Sequence, residues 1–362
     1  MKNILVTGGC GFIGSNFIRY LHHLNPALHI YNIDSLTYAG NQNNLKELKG
    51  LANYVFIHGD ICDSDLVERI LIESTIDTVV HFAAETHVDR SIYGPEAFIH
   101  TNIVGTFRLL EAVKKVWLAQ GDGNLADYRF HHISTDEVYG SLALEDPAFV
   151  ETTPYTPNSP YSASKAASDH LVRAYAHTYQ LPITISNCSN NYGPYQYPEK
   201  LIPLMVLNGL NGGELPVYGD GKQIRDWLYV EDHCDAIYQI LLHGILGETY
   251  NVGGNTQLSN LEVIKTICNI LDTLQPDSEN FPHEKLIKFV NDRPGHDRRY
   301  AIDCTKLAQT LGWQPKTSFA EGIQKTIAWY LENPEWVSDM YSRRDYQLWL
   351  EKNYEQRGED KG

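Results

Sequence analysis

The segment Thr7-Gly8-Gly9-Cys10-Gly11-Phe12-Ile13-Gly14 joins a short apolar run, Asn3–Thr7, to a helical pattern, Ser15–Leu24. Its glycines at positions 8, 11 and 14 form a GxxGxxG pattern. Gly8 permits a tight turn, Gly11 lets a pyrophosphate approach the backbone, and Gly14 lets the helix pack closely on the strand. The N–H groups that open the helix, including the Phe12 and Ile13 region, would hold the anion. The segment therefore predicts a strand–loop–helix unit that binds a dinucleotide.

Outward from this loop, short apolar runs alternate with helical patterns. Several runs are apolar throughout, as expected of parallel strands covered on both faces. The alternation predicts an α/β fold with a doubly wound, Rossmann-like parallel sheet. The predicted strands are Asn3–Thr7, His29–Asp34, Tyr54–His58, Thr78–Ala83, Arg129–Ser134 and Ile183–Asn187. The main predicted helices are Ser15–Leu24, Ser64–Glu73, Asn102–Leu118, Ser162–Tyr179, Val230–His243, Asn260–Leu274 and Phe319–Asn333.

The alternation of predicted strands and helices ends after about residue 190, where Tyr, Pro, Gly and Asn cluster in Asn190–Tyr197 and Asn208–Gly221. Such clusters mark loops. We expect residues 1–190 to form the cofactor-binding domain, with residues of about 228–255 returning to it. Residues 191–362 are expected to form mainly a smaller C-terminal lobe that binds substrate.

Composition excludes several classes of function. The chain carries 29 Lys and Arg against 45 Asp and Glu, a net charge of −16, which disfavours nucleic acid as a partner. Its six cysteines and its histidines show no spacing typical of a metal site, so no metal is expected. No apolar run reaches the roughly 18 residues of a membrane span. With no signal-peptide pattern either, we expect a cytoplasmic protein without a membrane partner.

Asp34 ends the second predicted strand, twenty residues beyond Gly14. A carboxylate there can accept hydrogen bonds from the adenine-ribose hydroxyls and would repel a 2′-phosphate, so the cofactor is predicted to be NAD rather than NADP. Asp60 and Ile61 follow the third strand and are predicted to contact adenine, although Asp60 could equally cap a helix.

Tyr161 and Lys165 form a YxxxK pair at the start of a predicted helix, on one face of it. An ammonium close to a phenol, together with a positively charged nicotinamide, favours the phenolate and lowers the phenol pKa from about 10. Tyr161 could then remove a hydroxyl proton while a hydride leaves the same carbon. The pair predicts an oxidoreductase step, with Lys165 also bonding the nicotinamide ribose.

The glycine loop, Asp34 and the YxxxK pair together resemble the extended short-chain dehydrogenase/reductase superfamily. Five further segments resemble those of dTDP-glucose 4,6-dehydratases, and the resemblance covers nearly the whole chain. It implies NAD as cofactor, a nucleotide-diphosphate sugar (dTDP-glucose) as substrate, and a homodimer. The segments are Ala83–Ser91, His132–Gly140, Asn187–Pro194, Arg225–His233 and Arg293–Tyr300.

Thr135, Asp136 and Glu137 follow directly on a predicted strand, at the sheet edge where ligands bind. Once C4 of a sugar is a ketone, elimination needs a base for the C5 proton and an acid for the C6 hydroxyl, and two carboxyl groups can supply both. By resemblance, Glu137 is the base, Asp136 the acid, and Thr135 the hydrogen-bond donor to the C4 oxygen. As an acid, Asp136 needs a raised pKa.

The resemblance also implies contacts that the residues alone do not. Arg225 and Arg293 are expected near the diphosphate, as placed cations in an acidic chain. Further cofactor contacts are expected from Ser35, Thr37, Ala83, Ala84, Thr101 and Asn191. Further substrate contacts are expected from Thr86, His87, Asn190, Lys200, Leu201, Pro216, Tyr218, Asn260 and His296.

Four alternative functions share these features in part. A nucleotide-sugar 4-epimerase or a decarboxylase has the glycine loop and YxxxK but not the Asp-Glu pair. A GDP-mannose 4,6-dehydratase also eliminates water, but it resembles this chain less in Arg293–Tyr300 and commonly uses NADP, against which Asp34 argues. A non-catalytic NAD sensor would be expected to have lost Tyr161 or Lys165.

Overall fold

The structure, a computed structural model, describes residues 1–120 and 124–350. Its described strands, in chain order, are β1 (Asn3–Thr7), β2 (His29–Asp34), β3 (Tyr54–His58), β4 (Thr78–His81), β5 (Arg129–Thr135), β6 (Ile183–Cys188), β7 (Asn190–Tyr192), β8 (Leu215–Tyr218), β9 (Ile224–Tyr229), β10 (Thr249–Val252), β11 (Gln257–Ser259) and β12 (Ile287–Val290).

The described α-helices are α1 (Phe12–Leu24), α2 (Ser64–Glu73), α3 (Val88–Tyr93), α4 (Pro95–Phe98), α5 (Thr106–Gln120), α6 (Pro160–Tyr179), α7 (Leu201–Leu210), α8 (Val230–His243), α9 (Asn260–Leu274), α10 (Thr305–Leu311), α11 (Phe319–Glu332), α12 (Pro334–Ser342) and α13 (Arg344–Leu350). A π-helical turn, Ile99–Gly105, precedes α5. Short 3-10 turns lie at Gln42–Leu48, Asp136–Tyr139 and His283–Leu286.

Seven parallel strands form the central sheet in the order β10-β6-β5-β4-β1-β2-β3. The order reverses between β1 and β4, which opens a crevice at the carboxyl ends of these strands. The predicted α/β, doubly wound, Rossmann-like class is therefore confirmed. All six predicted strands are present, although β4 ends at His81 rather than Ala83.

Both faces of the sheet are covered, which explains why its strands are apolar throughout. Ile4 and Val6 of β1 point into a core shared with α1 and α8, whereas Leu5 points into the core shared with α2, α5 and α6. Alternate residues of one strand therefore enter two different cores.

A smaller lobe is built from residues beyond β6. Its sheets are β11-β9-β7 and the parallel pair β12-β8, and its core joins α7, α9 and α11. Between β9 and β11 the chain returns to the large sheet, where α8 packs and β10 pairs with β6. The domain boundaries given above stay a prediction, and residues 351–362 lie outside the described residues.

Two features are absent from residues 1–120 and 124–350, the part of the chain that the structure describes. No helix there has both the length and the apolar character that crossing a membrane requires. The same residues contain no group of three or more His, Cys, Asp or Glu side chains arranged to hold a metal ion.

Candidate active site

A cavity of about 350 Å³ lies at the carboxyl edge of the central sheet, where the loops after β1 to β6 meet. The strand order brings these loops together although they are far apart in the chain. All the residues predicted to bind the cofactor line this cavity: Gly8, Gly11, Phe12, Ile13, Gly14, Asp34, Ser35, Thr37, Asp60, Ile61, Ala83, Ala84, Thr101, Tyr161, Lys165 and Asn191. Thr86, Thr135, Asp136, Asn190 and Lys200 line it as well.

Two glycines of the loop, Gly8 and Gly14, leave no room for a side chain. Gly8 has φ +71°, and a Cβ there would lie 2.6 Å from the Ala83 backbone nitrogen. A Cβ on Gly14 would lie 2.4 Å from the Gly8 carbonyl oxygen. The first turn of α1 has Gly11 as its N-cap residue, with no side chain capping it. Its backbone N–H groups are thus available at the cavity, which fits the diphosphate of a dinucleotide.

Asp34 ends β2 and is buried. Its Oδ2 accepts a hydrogen bond from the Cys10 N–H (2.8 Å) and its Oδ1 from the Leu36 N–H (2.8 Å). Burial raises the pKa of this carboxyl, while the two backbone hydrogen bonds oppose that shift. Asp34 therefore fixes the loops after β1 and β2 while facing the cavity.

Helix α6 carries Tyr161 and Lys165 one turn apart, and Ser159 and Ser162 form the capping box at its start. Lys165 Nζ donates to the Ile133 carbonyl oxygen (2.8 Å), and burial lowers the pKa of Lys165 to about 8. Lys165 is not among the causes that shift the pKa of Tyr161 in this arrangement, and the predicted lowering by Lys165 together with a bound nicotinamide stays a prediction. Burial, then the Glu137 carboxylate, raise that pKa well above 10, while a hydrogen bond with Thr135 opposes them.

The paired carboxyl groups sit in a turn that Thr135 shapes. Thr135 Oγ1 accepts from the Glu137 N–H (3.3 Å) and donates to Asp136 Oδ1 (3.5 Å). Asp136 is only 1% exposed, and its Oδ2 has no hydrogen-bond partner among the described residues. Glu137 remains partly exposed.

The two carboxyl groups meet different charges. Burial, then the carboxylates of Glu137 and Asp226, raise the pKa of Asp136 well above its usual range. Burial also raises the pKa of Glu137, but the cations Arg293, Lys200 and Arg225 oppose that rise. The arrangement suits a protonated Asp136 beside an ionised Glu137.

The cations near Glu137 come from the smaller lobe. Arg293 Nη1 pairs with Asp89 Oδ1 at 2.8 Å, and Arg225 Nη2 donates to the Asp297 carbonyl oxygen at 3.0 Å. Lys200 Nζ donates to the Thr86 carbonyl oxygen (3.3 Å). Three arginine and lysine side chains therefore converge beside one carboxylate, where a diphosphate could bind.

Some predicted site residues are not part of the wall of the main cavity. His87 caps α3 through its ring, Tyr218 lies 3.4 Å from Asp89 Oδ2, and His296 pairs with Asp292 at 2.6 Å. Leu201 begins α7, Pro216 lies in β8 and Asn260 begins α9. The full set outside the wall is His87, Glu137, Leu201, Pro216, Tyr218, Arg225, Asn260, Arg293 and His296.

Sequence reasoning missed other residues of the cavity wall. Glu199 is buried there and pairs with Arg90 at 2.9 Å, and Glu85 also lines the wall. Glu199 directly precedes Lys200 and Glu85 lies in the Ala83–Ser91 segment, but the place of these two residues in the cavity wall could not be inferred from that. The other missed wall residues include Tyr38, Gln196 and Tyr197.

This chain is similar to a described family and to several known proteins. A family model described as GDP-mannose 4,6 dehydratase matches residues 5–326. The dTDP-glucose 4,6-dehydratase of Xanthomonas campestris pv. campestris (strain B100) is 58% identical over 337 residues, which are 93% of this chain and 95% of that protein.

Two crystal structures are similar over nearly their whole length. The dTDP-glucose 4,6-dehydratase of Bacillus anthracis str. Ames in complex with NAD is 46% identical, with a TM-score of 0.83 over 94% of this chain and 100% of that one. The dTDP-glucose 4,6-dehydratase of Streptomyces venezuelae, solved with NAD and dTDP bound, is 46% identical, with a TM-score of 0.84 over 93% of this chain and 99% of that one.

Proposed function

This chain belongs to the dTDP-glucose 4,6-dehydratase family, and on that premise we infer that it converts dTDP-glucose into dTDP-4-keto-6-deoxyglucose and water. The observation that carries this inference is the unequal charge environment of Asp136 and Glu137 beside Tyr161. A cavity wall with Tyr161 and Lys165 alone would equally suit a 4-epimerase. The carboxyl pair supplies the acid and the base that elimination requires.

We propose NAD as the cofactor, held by the Gly8–Gly14 loop and by Asp34. The open N–H groups at the start of α1 suit its diphosphate, and Asp34 suits the adenine-ribose hydroxyls. When bound, NAD supplies a hydride acceptor that becomes the hydride donor later in the same cycle. Lys165 on the cavity wall is available to bond the nicotinamide ribose.

Tyr161 and Thr135 act on the C4 hydroxyl of the sugar. Thr135 Oγ1 orients that oxygen, and Tyr161 Oη takes its proton as C4 is oxidised to a ketone. The raised pKa of Tyr161 means that the phenolate needs positive charge close by, and we propose that the Lys165 ammonium, one turn further along α6, supplies it.

Asp136 and Glu137 then carry out the elimination. The Glu137 carboxylate takes the C5 proton, which the C4 ketone has made acidic. The C6–O bond breaks as protonated Asp136 gives its proton to the C6 hydroxyl, and water leaves. As a hydride returns to C6, Glu137 gives its proton back to C5, so the C4 ketone remains in the product.

Arg225, Arg293 and Lys200 are proposed to hold the diphosphate of the substrate. Lys200 lines the cavity, all three charges act on the Glu137 carboxylate, and Arg293 Nε is buried without a hydrogen-bond partner among the described residues. An Arg fork suits phosphate oxygens. His87, Asn190, Tyr218 and His296 remain proposed substrate contacts in the same region.

A substrate assay tests this function. The purified protein is incubated separately with dTDP-glucose, UDP-glucose and GDP-mannose, the last because of the matching family model. Product is followed by the alkaline chromophore of 4-keto-6-deoxy sugars and by proton NMR. We expect turnover of dTDP-glucose with the highest kcat/KM. A 4-epimer as product would favour the epimerase, and no turnover of any substrate would favour the NAD sensor.

We further propose a cytoplasmic homodimer whose contact involves α5 and α6. Val104, Phe107 and Leu118, on the π-helical turn and α5, expose apolar side chains to solvent, as does Tyr179 on α6. Two helices from each copy would form a four-helix contact. Sedimentation of the protein and of a Phe107→Asp variant tests this, because an interface charge should shift the protein toward monomer.

A further inference from the structure

A buried charged residue on α6 lies outside the wall of the main cavity. Asp169 follows Lys165 by one helical turn and is fully buried. Its Oδ1 lies 3.2 Å from His132 Nε2, and the same nitrogen lies 3.4 Å from Lys165 Nζ.

The other carboxylate oxygen of Asp169 binds the carboxyl end of β5. Asp169 Oδ2 accepts hydrogen bonds from Ser134 Oγ and from Tyr155 Oη, both at 2.9 Å. Ser134 directly precedes Thr135 at the end of β5. One carboxylate therefore fixes α6, which carries Tyr161 and Lys165, against the strand end that carries the carboxyl pair.

Asp169 is the acid that balances the Lys165 charge in this buried region. An unpaired buried charge is strongly unfavourable, so the ammonium and the carboxylate stabilise each other's ionised form. Lys165 and Arg173, with hydrogen bonds from Ser134 and Tyr155, oppose the rise that burial causes in the pKa of Asp169.

The remaining groups that face Lys165 are the two histidines His81 and His132 and the thiol of Cys188. Burial, with Lys165 as a further cause, lowers the pKa of both histidines well below 6.5, so they are neutral at physiological pH. Burial raises the pKa of Cys188 to about 12, so the thiol stays protonated.

We propose that Asp169 is a positioning residue that keeps Lys165 protonated and directed along β5, beneath the site of C4 oxidation. This inference rests on the proposed function, because it assumes that Lys165 assists Tyr161. Asp169 touches neither the cavity nor the reacting atoms, so it acts only through Lys165 and the β5 strand end. Burial already lowers the Lys165 pKa to about 8, with Asp169 as the largest opposing charge.

Asp169→Asn tests the proposal, because it removes the charge and retains the shape. The pKa of Lys165 should fall by about one unit or more. A lysine that works as an ammonium loses function as pH rises through its pKa. The alkaline limb of the pH profile of kcat should therefore move to lower pH. We expect kcat for dTDP-glucose to fall about tenfold at pH 8 and to recover toward the wild-type value near pH 6.

Three further measurements separate this role from a structural one. KM and the NAD released on denaturation should stay within about twofold of wild type, and Asp169→Glu should restore most of kcat at pH 8. A kcat loss that is equal at all pH values, or that comes with lost NAD and a lowered unfolding temperature, would overturn the proposal.

A milder variant serves if Asp169→Asn does not fold. Tyr155→Phe removes one hydrogen bond that lowers the Asp169 pKa, so a smaller shift of the alkaline limb in the same direction is expected, about twofold in kcat at pH 8. An unmoved limb would count against the proposal. Wild-type turnover of dTDP-glucose is measured first, since its absence would refute the proposed function and not this inference alone.

Discussion

Asp136 and Glu137 are neighbours in the chain, but their carboxyl groups lie in different electrostatic environments. The carboxylates of Glu137 and Asp226 act on Asp136, whereas Arg293 and Lys200 act on Glu137. Burial raises the pKa of both acids, but the charges that adjust it differ, which fits their proposed separation into a proton donor, Asp136, and a proton acceptor, Glu137. A dehydratase needs this separation, and an enzyme that only moves a hydride does not.

Removing both carboxyl groups should separate oxidation from elimination. We expect the double variant Asp136→Asn, Glu137→Gln to reduce bound NAD on mixing with dTDP-glucose, because Tyr161 and Thr135 are intact. Formation of the 4-keto-6-deoxy product should fall by at least about 10³-fold, since general acid and base are both lost. NADH absorbance and the product chromophore measure the two steps, and product formation at the wild-type rate would refute the assignment.

Asp136→Asn should stabilise the protein at neutral pH. The folded-state pKa of Asp136 is raised above its unfolded value of about 3.9, so ionising it opposes folding. This loss of unfolding free energy is absent below pH 4 and grows as pH rises through the folded-state pKa of Asp136. We expect the variant to gain about 1–2 kcal/mol of unfolding free energy at pH 8 and almost none at pH 4.

Urea unfolding at both pH values measures this gain. Asp277→Asn is a matched control, because it removes the same charge from an exposed position. A gain for Asp136→Asn that is equal at pH 4 and pH 8 would contradict the linkage.

Two glycines of the same loop should respond differently to alanine. The Cβ of Gly14→Ala would lie 2.4 Å from the Gly8 carbonyl oxygen, so the variant should lose about 1–3 kcal/mol of stability even without cofactor. At Gly11 the nearest atom to a Cβ, the same oxygen, is 3.3 Å away. Gly11→Ala should unfold nearly as wild type does without NAD and lose most of the stabilisation that NAD adds. Thermal unfolding with and without NAD checks both, and equal destabilisation of the two cofactor-free variants would contradict it.

Asp34→Asn should weaken NAD binding and cofactor selectivity together. Asp34 accepts hydrogen bonds from Cys10 N–H and Leu36 N–H, and an amide cannot accept with both terminal atoms. We expect the Kd for NAD to rise at least about tenfold, and the preference for NAD over NADP to narrow because the negative charge is gone. Calorimetric titration with each dinucleotide measures both, with Asp277→Asn, at an exposed position, as the control. An unchanged preference would show that Asp34 does not select the cofactor.

The amino-acid sequence alone determined the sheet class and the cofactor cradle. Glycine spacing and apolar runs are local signals, because a tight turn and a doubly covered strand each constrain consecutive residues. This explains why the Gly8–Gly14 loop, Asp34, Tyr161 and Lys165 all line one cavity, as the sequence indicated. For β10, the sequence predicted only that residues of about 228–255 return to the large domain. Four residues paired with β6 are too few to give a clear strand pattern in the sequence.

Only the tertiary structure decided the charge of each acid and the partners of each cation. The pKa of a carboxyl group depends on burial and on charges brought near it by distant segments. Arg293 lies beside Asp89, 204 residues away in the chain, and the Asp169 carboxylate reaches Ser134 across the packing of α6 on β5. The glycine loop could be recognised from eight consecutive residues, whereas the pKa shifts of Asp136 and Glu137 arise first from burial and then from charges that distant segments bring near them.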